Sequence, residues 1–189
     1  MKKSTIIILS AIAIVILWGF TTYNSIVTSD EDISAKWSDV ENTYKRRADL
    51  IPNLVNTVKG YAKHEKETFT AVVDARSKAT QITVDAKNLT AAKIKEFQAA
   101  QGGVTAALGK LMLLREAYPE LKADRTFIKL QDELSGTENR IATARNRFIE
   151  ATNKYNAKIR RFPGMLFGFE KREYFEATEA EMVLPNVEF

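Results

Sequence analysis

The sequence predicts an all-α protein: a single N-terminal transmembrane helix followed by an antiparallel, up-down-up-down four-helix bundle with coiled-coil-like packing. Three observations lead there. The chain opens on an uncharged, strongly apolar stretch. Beyond it, apolar side chains recur every seven residues, the spacing of helices that cross at shallow angles. Glycine (8) and proline (4) are few, and no stretch alternates with period two over a convincing length, which argues against strands.

The first element runs from Thr5 to Tyr23 without a charge, about 19 residues against the roughly 20 that span a bilayer. Trp18 and Tyr23 lie towards one end, where interfacial aromatics belong. A cleaved signal peptide is the competing reading; it is disfavoured because no small-x-small cleavage site follows Phe20. Lys2 and Lys3 precede the span, while Asp30, Glu31 and Asp32 follow it. The positive-inside rule then holds the N-terminus in the cytoplasm and exports the rest, with a cytoplasmic domain as the alternative. The expected organisation is an anchor over 1–28, a helical domain over 29–177 and a tail over 178–189.

In the first helix past the anchor, Trp37, Tyr44, Ile51 and Val58 recur by sevens, with Ile33, Val40, Leu54 and Tyr61 beside them. Gly60 and Lys63-His64-Glu65 offer a weak break; without it the first two helices fuse into one rod. A second helix, about 64–85, places Phe69, Val72, Val73 and Ala79 inside. Asp85–Thr90 reads as a capped turn. The third helix carries Phe97, Val104, Leu111 and Tyr118 and is weakened at Gly102-Gly103. Pro119 ends it, and Asp124 is a good N-cap for the last helix. There Phe127, Leu134, Ile141, Phe148, Tyr155 and Phe162 form an unbroken heptad series up to Pro163, with Ala144 and Ala151 allowing close approach.

Composition removes several function classes. Setting aside Lys2 and Lys3 leaves 26 basic against 24 acidic side chains, too balanced and dispersed for nucleic acid. With no cysteine there are no disulfides, thiolate sites or cysteine nucleophile. The single histidine, His64, is followed by Glu65 and Glu67 without HExxH spacing. No Glu-x-x-His pair supports a carboxylate-bridged metal site, and Gly102-Gly103 lacks the lysine of a phosphate loop. No cofactor and no catalysis are expected.

The run Lys45–Glu65, KRRADLIPNLVNTVKGYAKHE, is the unusual part: paired arginines, and Pro52 inside a helical pattern. It resembles the signature of the LemA family of bacterial membrane-anchored helical proteins. Arg145–Gly164, Tyr23–Val27 and Phe167–Phe175 resemble that family's other blocks, so the likeness covers 23 to about 177. The resemblance implies a helical bundle, one membrane span and a role nearer scaffolding than turnover, related proteins being associated with membrane organelle formation and envelope functions. It brings no established chemistry.

Three groups of residues emerge as interaction candidates. Arg47 falls where the seam expects an apolar side chain, and antiparallel alignment of the first and last helices brings it near Glu138. A register-fixing ion pair follows; the alternative is an outward Arg47 whose stem covers apolar surface. Arg46 and Asp49 form an i,i+3 pair on a neighbouring face. Pro52, Asn53 and Asn56 have two readings: a kink whose freed carbonyls the amides satisfy, or a recognition surface. In an up-down-up-down chain the last helix ends near the bilayer, so Lys158, Arg160, Arg161, Phe162, Phe167 and Phe169 either close the bundle or meet lipid. The partners expected are the bilayer of the bacterial inner membrane and further copies of the chain, with another envelope protein as the alternative. Function is read as an envelope scaffold, with an adaptor or sensor for an envelope protease or signalling system as the rival.

Overall fold

In the computed structural model, which describes residues 3–86 and 89–175, every regular element is helical. Lys2, Asn88 and the 178–189 tail lie outside the described residues.

Helix α1 (Lys3–Tyr61) is a single unbroken helix of 59 residues that passes through 28–29 without interruption. At 1.5 Å per residue it is about 88 Å long. Its character changes along its length. From Ile6 to Phe20 the large apolar side chains stand exposed, and from Ile26 onward one stripe is buried: Ile26, Ile33, Trp37, Val40, Tyr44, Arg47, Ile51, Leu54 and Val58. The seven-residue seam thus starts where the apolar sheath ends.

The break after Gly60 is real. Tyr61 closes α1, and α2 (Lys66–Gln81) starts after a four-residue turn, so the fused-rod alternative is excluded. Phe69, Val72 and Ala79 are buried on α2, but Val73 is half exposed rather than in the core. Its neighbour Val72 takes the inward position, which turns Val73 about 100° away towards solvent.

Helix α3 (Ala91–Ala117) is capped by the Thr90 hydroxyl, which accepts from the Lys93 N–H at 3.3 Å. The short α4 (Pro119–Ala123) was not expected; Pro119 ends α3 but is well suited to start a helix, and Leu121 of that turn is fully buried. Asp124 then caps α5 (Arg125–Arg160), its carboxylate accepting from the Phe127 N–H at 2.7 Å.

Helices α1 and α5 pack antiparallel along their length. Tyr61 O–H donates to Asp124 at one end (2.8 Å), the Trp37 and Phe148 rings meet midway (5.4 Å), and the Lys158 ammonium donates to Ser29 at the other end (2.7 Å). Helices α2 and α3 form the second antiparallel pair, joined at the far end by Tyr118 O–H donating to Glu65.

Two apolar clusters fill the interior. One gathers Trp37, Tyr44, Phe97, Phe148 and Tyr155 near the apolar end of α1, with Val84 and Leu89 of the α2–α3 connection. The other gathers Leu54, Val58, Phe69, Leu111 and Phe127 at the far end.

After α5, a 3-10 turn (Gly164–Leu166) reverses the chain. Only glycine fits at 164, because a Cβ there would collide with the Lys158 carbonyl. Residues 167–175 then run back as a strap. Tyr155 O–H donates to the Glu170 carbonyl, Asn156 exchanges two 2.9 Å bonds with the Arg172 backbone, and Arg172 grips Asp30 at 2.7 and 2.8 Å. Phe175 ends the strap against Trp37 and Phe148.

Candidate functional site

Between the two apolar clusters lies a polar layer centred on Arg47, which is 2 % exposed. The heptad phase of α1 forces this side chain inward, and an isolated buried guanidinium is very costly. Its partners come from two other helices. Nη2 donates to the side-chain oxygen of Gln101 at 2.6 Å and to the Gln101 carbonyl at 3.1 Å. Nη1 donates to the Thr105 hydroxyl at 3.0 Å and to Glu138 at 3.1 Å. The guanidinium also lies over the Tyr44 ring, 5.0 Å from its centre.

Arg47 and Glu138 are therefore in contact, and the outward orientation of Arg47 is excluded. Glu138, however, is 41 % exposed, whereas Gln101 is 8 % exposed and closer. The anchoring partner is the neutral amide, which sequence reasoning missed. The signal was present: Gln101 sits four after Phe97 and three before Val104, a polar residue in an apolar seam.

Pro52 creates the second local problem. It has no N–H, so the Ala48 carbonyl one turn earlier loses its helical donor. Asn53 and Asn56 do not supply one; both are exposed. Instead Arg76 reaches across from α2, its Nε donating to the Ala48 carbonyl at 2.7 Å. The proline thus makes a docking point for α2. A cavity of about 290 Å³ opens beside it, lined by Glu41, Asp49, Arg76, Ala79, Phe97 and Gln101 among others. Burial is the main influence on the Glu41 carboxyl here and pushes its pKa up, opposed by contacts with Trp37 and Val84.

The outer face of the same stretch carries the remaining motif residues. Arg46, Asp49, Pro52, Asn53 and Asn56 are all exposed. Arg46 reaches Glu133 of α5 at 3.6 Å rather than forming the local pair with Asp49, because α5 lies alongside.

At the other end of α5, Lys158 donates to the Ser25 carbonyl and hydroxyl and to Ser29, tying α5 to α1 just past the apolar segment. Arg160 and Arg161 are exposed. Phe162 does not close the core: it is 64 % exposed and leans on Trp18, ring centres 5.5 Å apart. The heptad seam stops being buried after Ile159 because α5 ends at Arg160. Phe167 and Phe169 are half-buried around Tyr23, at 5.5 and 5.4 Å. Arg172 has its pKa raised, first by its hydrogen bonds to Asp30.

His64 is exposed, and no group of three His, Cys, Asp or Glu side chains able to hold a metal ion occurs among the described residues. Among the described residues one helix, α1, is long and apolar enough to cross a membrane.

Comparison with known proteins follows the same residues. Magnetosome protein MamQ of Magnetospirillum gryphiswaldense is 29 % identical across 99 % of this chain and 79 % of its own length. Magnetosome protein MamQ 2 of Paramagnetospirillum magneticum is 30 % identical over 84 % of this chain and 66 % of its own length. Protein LemA of Metamycoplasma hominis is 29 % identical over 74 % of this chain and 60 % of its own length. The sequence profile of the LemA family matches residues 36–189, which take in the polar layer, the Pro52 docking point and the strap. The chain belongs to the LemA family.

Proposed function

We propose that this protein is a membrane-anchored helical scaffold of the bacterial envelope that self-associates and carries out no catalysis. The observation that carries the reading is the continuity of α1. One helix is both the apolar segment and the first core helix, with no linker between them. A domain built this way is held upright: the helix from Tyr23 to Tyr61 places its far end roughly 57 Å from the apolar boundary. In this reading the α1/α5 and α2/α3 pairs act as one coiled-coil-like four-helix bundle, and the charge pattern around the span puts it outside the cytoplasm.

The polar layer supports a structural role. It ties three helices together with a fixed register, a use of buried polar groups with precedent in coiled coils. The names of the magnetosome relatives likewise refer to a magnetosome, not to a reaction.

For self-association, the exposed row Arg46, Asp49, Asn53 and Asn56 recurs at helical spacing on one face and is the surface a second copy would use. The chain has no cysteine, so Asn53→Cys and Asn56→Cys each introduce one unique thiol. In the detergent-solubilised full-length protein, light scattering should give a homo-oligomer, and oxidation should link copies through either thiol. A monomer with neither variant cross-linking would overturn self-association and leave the adaptor reading.

A further inference from the structure

The turn that follows α5 presents an arrangement that packing inside the domain does not explain. Phe162, Met165 and Leu166 are 64 %, 62 % and 68 % exposed, the same range as the apolar residues of α1 between Ile6 and Phe20. Phe162 lies against that segment, its ring meeting Trp18. Phe167 and Phe169 touch Tyr23, about 8 Å further along the helix axis. The turn therefore overlaps the last turn and a half of the apolar stretch. Large exposed apolar side chains grouped in this way mark a contact site for a partner or a membrane.

The charges sit where a bilayer would require them. Arg160 and Arg161 immediately precede the apolar tip, both are exposed, and neither has an ion pair among the described residues. Arg161 also borders a hollow of about 340 Å³ whose walls include Trp18, Thr21 and Thr22. Lys158 is committed to Ser25 and Ser29, which fixes the height of the tip on α1. Gly164 lets the turn press against the end of α5.

Resting on the reading of α1 as a membrane span, we infer that this turn is a second, independent membrane contact. Phe162, Met165 and Leu166 enter the acyl boundary of the leaflet from which α1 emerges. Arg160 and Arg161 bind lipid phosphates there. An apolar tip under a basic collar is the arrangement by which peripheral segments hold to an anionic interface. Two attachment points also fix the domain's rotation about α1, which one span leaves free.

The test uses the full-length protein with single thiols at Leu166→Cys, Ile14→Cys and, in the exposed turn after α1, Lys63→Cys, each carrying an environment-sensitive fluorophore. The protein is reconstituted in vesicles of phosphatidylcholine and phosphatidylglycerol. The label at 166 should be blue-shifted, quenched by lipids bearing a shallow nitroxide and shielded from aqueous iodide. The label at 14 should be shielded from iodide and the label at 63 accessible to it. A lipid-embedded label at 14 with a water-exposed label at 166 overturns this inference and leaves the anchor intact. Labels in water at both sites overturn the anchor itself. Arg160→Glu with Arg161→Glu should raise iodide access at 166 in these vesicles but not in phosphatidylcholine alone. Unchanged access in both overturns the role given to the arginines.

Discussion

Replacing Arg47 by Met isolates what the polar layer contributes. Methionine fills most of the volume and removes the charge, so the main loss is at Gln101. Its side-chain oxygen, 2.6 Å from Nη2, is left without that donor inside a site 8 % exposed, which costs about 1–3 kcal/mol. The contact over Tyr44 adds about 0.5–1 kcal/mol, and release of a desolvated guanidinium offsets part of the total. Arg47→Met should therefore destabilise by about 2–3 kcal/mol, a fall in Tm of roughly 4–12 °C for a chain of this size. Glu138→Gln should cost at most about 1 kcal/mol, since the carboxylate is partly in water and glutamine still accepts from Nη1. Gln101→Leu should cost about 1.5–3 kcal/mol by stripping a charged donor of its closest acceptor. Combining Arg47→Met with Gln101→Leu should recover much of the loss, because a polar pair replaced by apolar groups of similar shape is close to neutral. The assay is thermal unfolding of the full-length protein in detergent, followed by far-UV circular dichroism, for each single and double variant. Additivity of Arg47→Met and Gln101→Leu to within about 0.5 kcal/mol would refute the reasoning. So would a Glu138→Gln loss as large as that of Gln101→Leu.

Arg76→Met should cost about 1–3 kcal/mol by uncovering the Ala48 carbonyl, and Pro52→Ala should suppress that loss by restoring the helical N–H; equal losses with and without the proline would count against the docking point. Asp124 titrates below the ordinary aspartate range, first because the Phe127 N–H and then because the Tyr61 hydroxyl bonds its charged form. Its contribution is complete above the ordinary aspartate range and is lost as pH falls through the depressed folded value. The stability gap between wild type and Asp124→Asn should therefore close on acidification, and a pH-independent gap would contradict the assignment. Phe175→Ala, which empties the space beside Trp37 and Phe148, should cost about 3–5 kcal/mol; a loss under about 1 kcal/mol would mean that the strap is not part of the core.

Much of this molecule is local and was legible in one dimension. The apolar run of α1, the Asp124 cap and the seams of α1, α3 and α5 follow from spacing, because a helix puts residues seven apart on one side whatever it packs against. Arg47 stood out for the same reason, as a charge in an apolar phase. The unbroken passage of α1 from apolar sheath to core was not expected, although no helix breaker lies between Phe20 and Ile51, and where the outward side chains stop and the inward ones begin is set by where α5 ends. Which partners satisfy Arg47, what covers the carbonyl freed by Pro52, and where Phe162 points are relations between segments far apart in sequence. Gln101, Arg76 and Trp18 answer them only once α3, α2 and α5 are laid against α1. The sequence by itself determined the helices other than α4 and the phase of the buried stripes on α1, α3 and α5. Tertiary structure alone decided the pairing of polar groups, because a hydrogen bond depends on separations in space that helical periodicity does not encode.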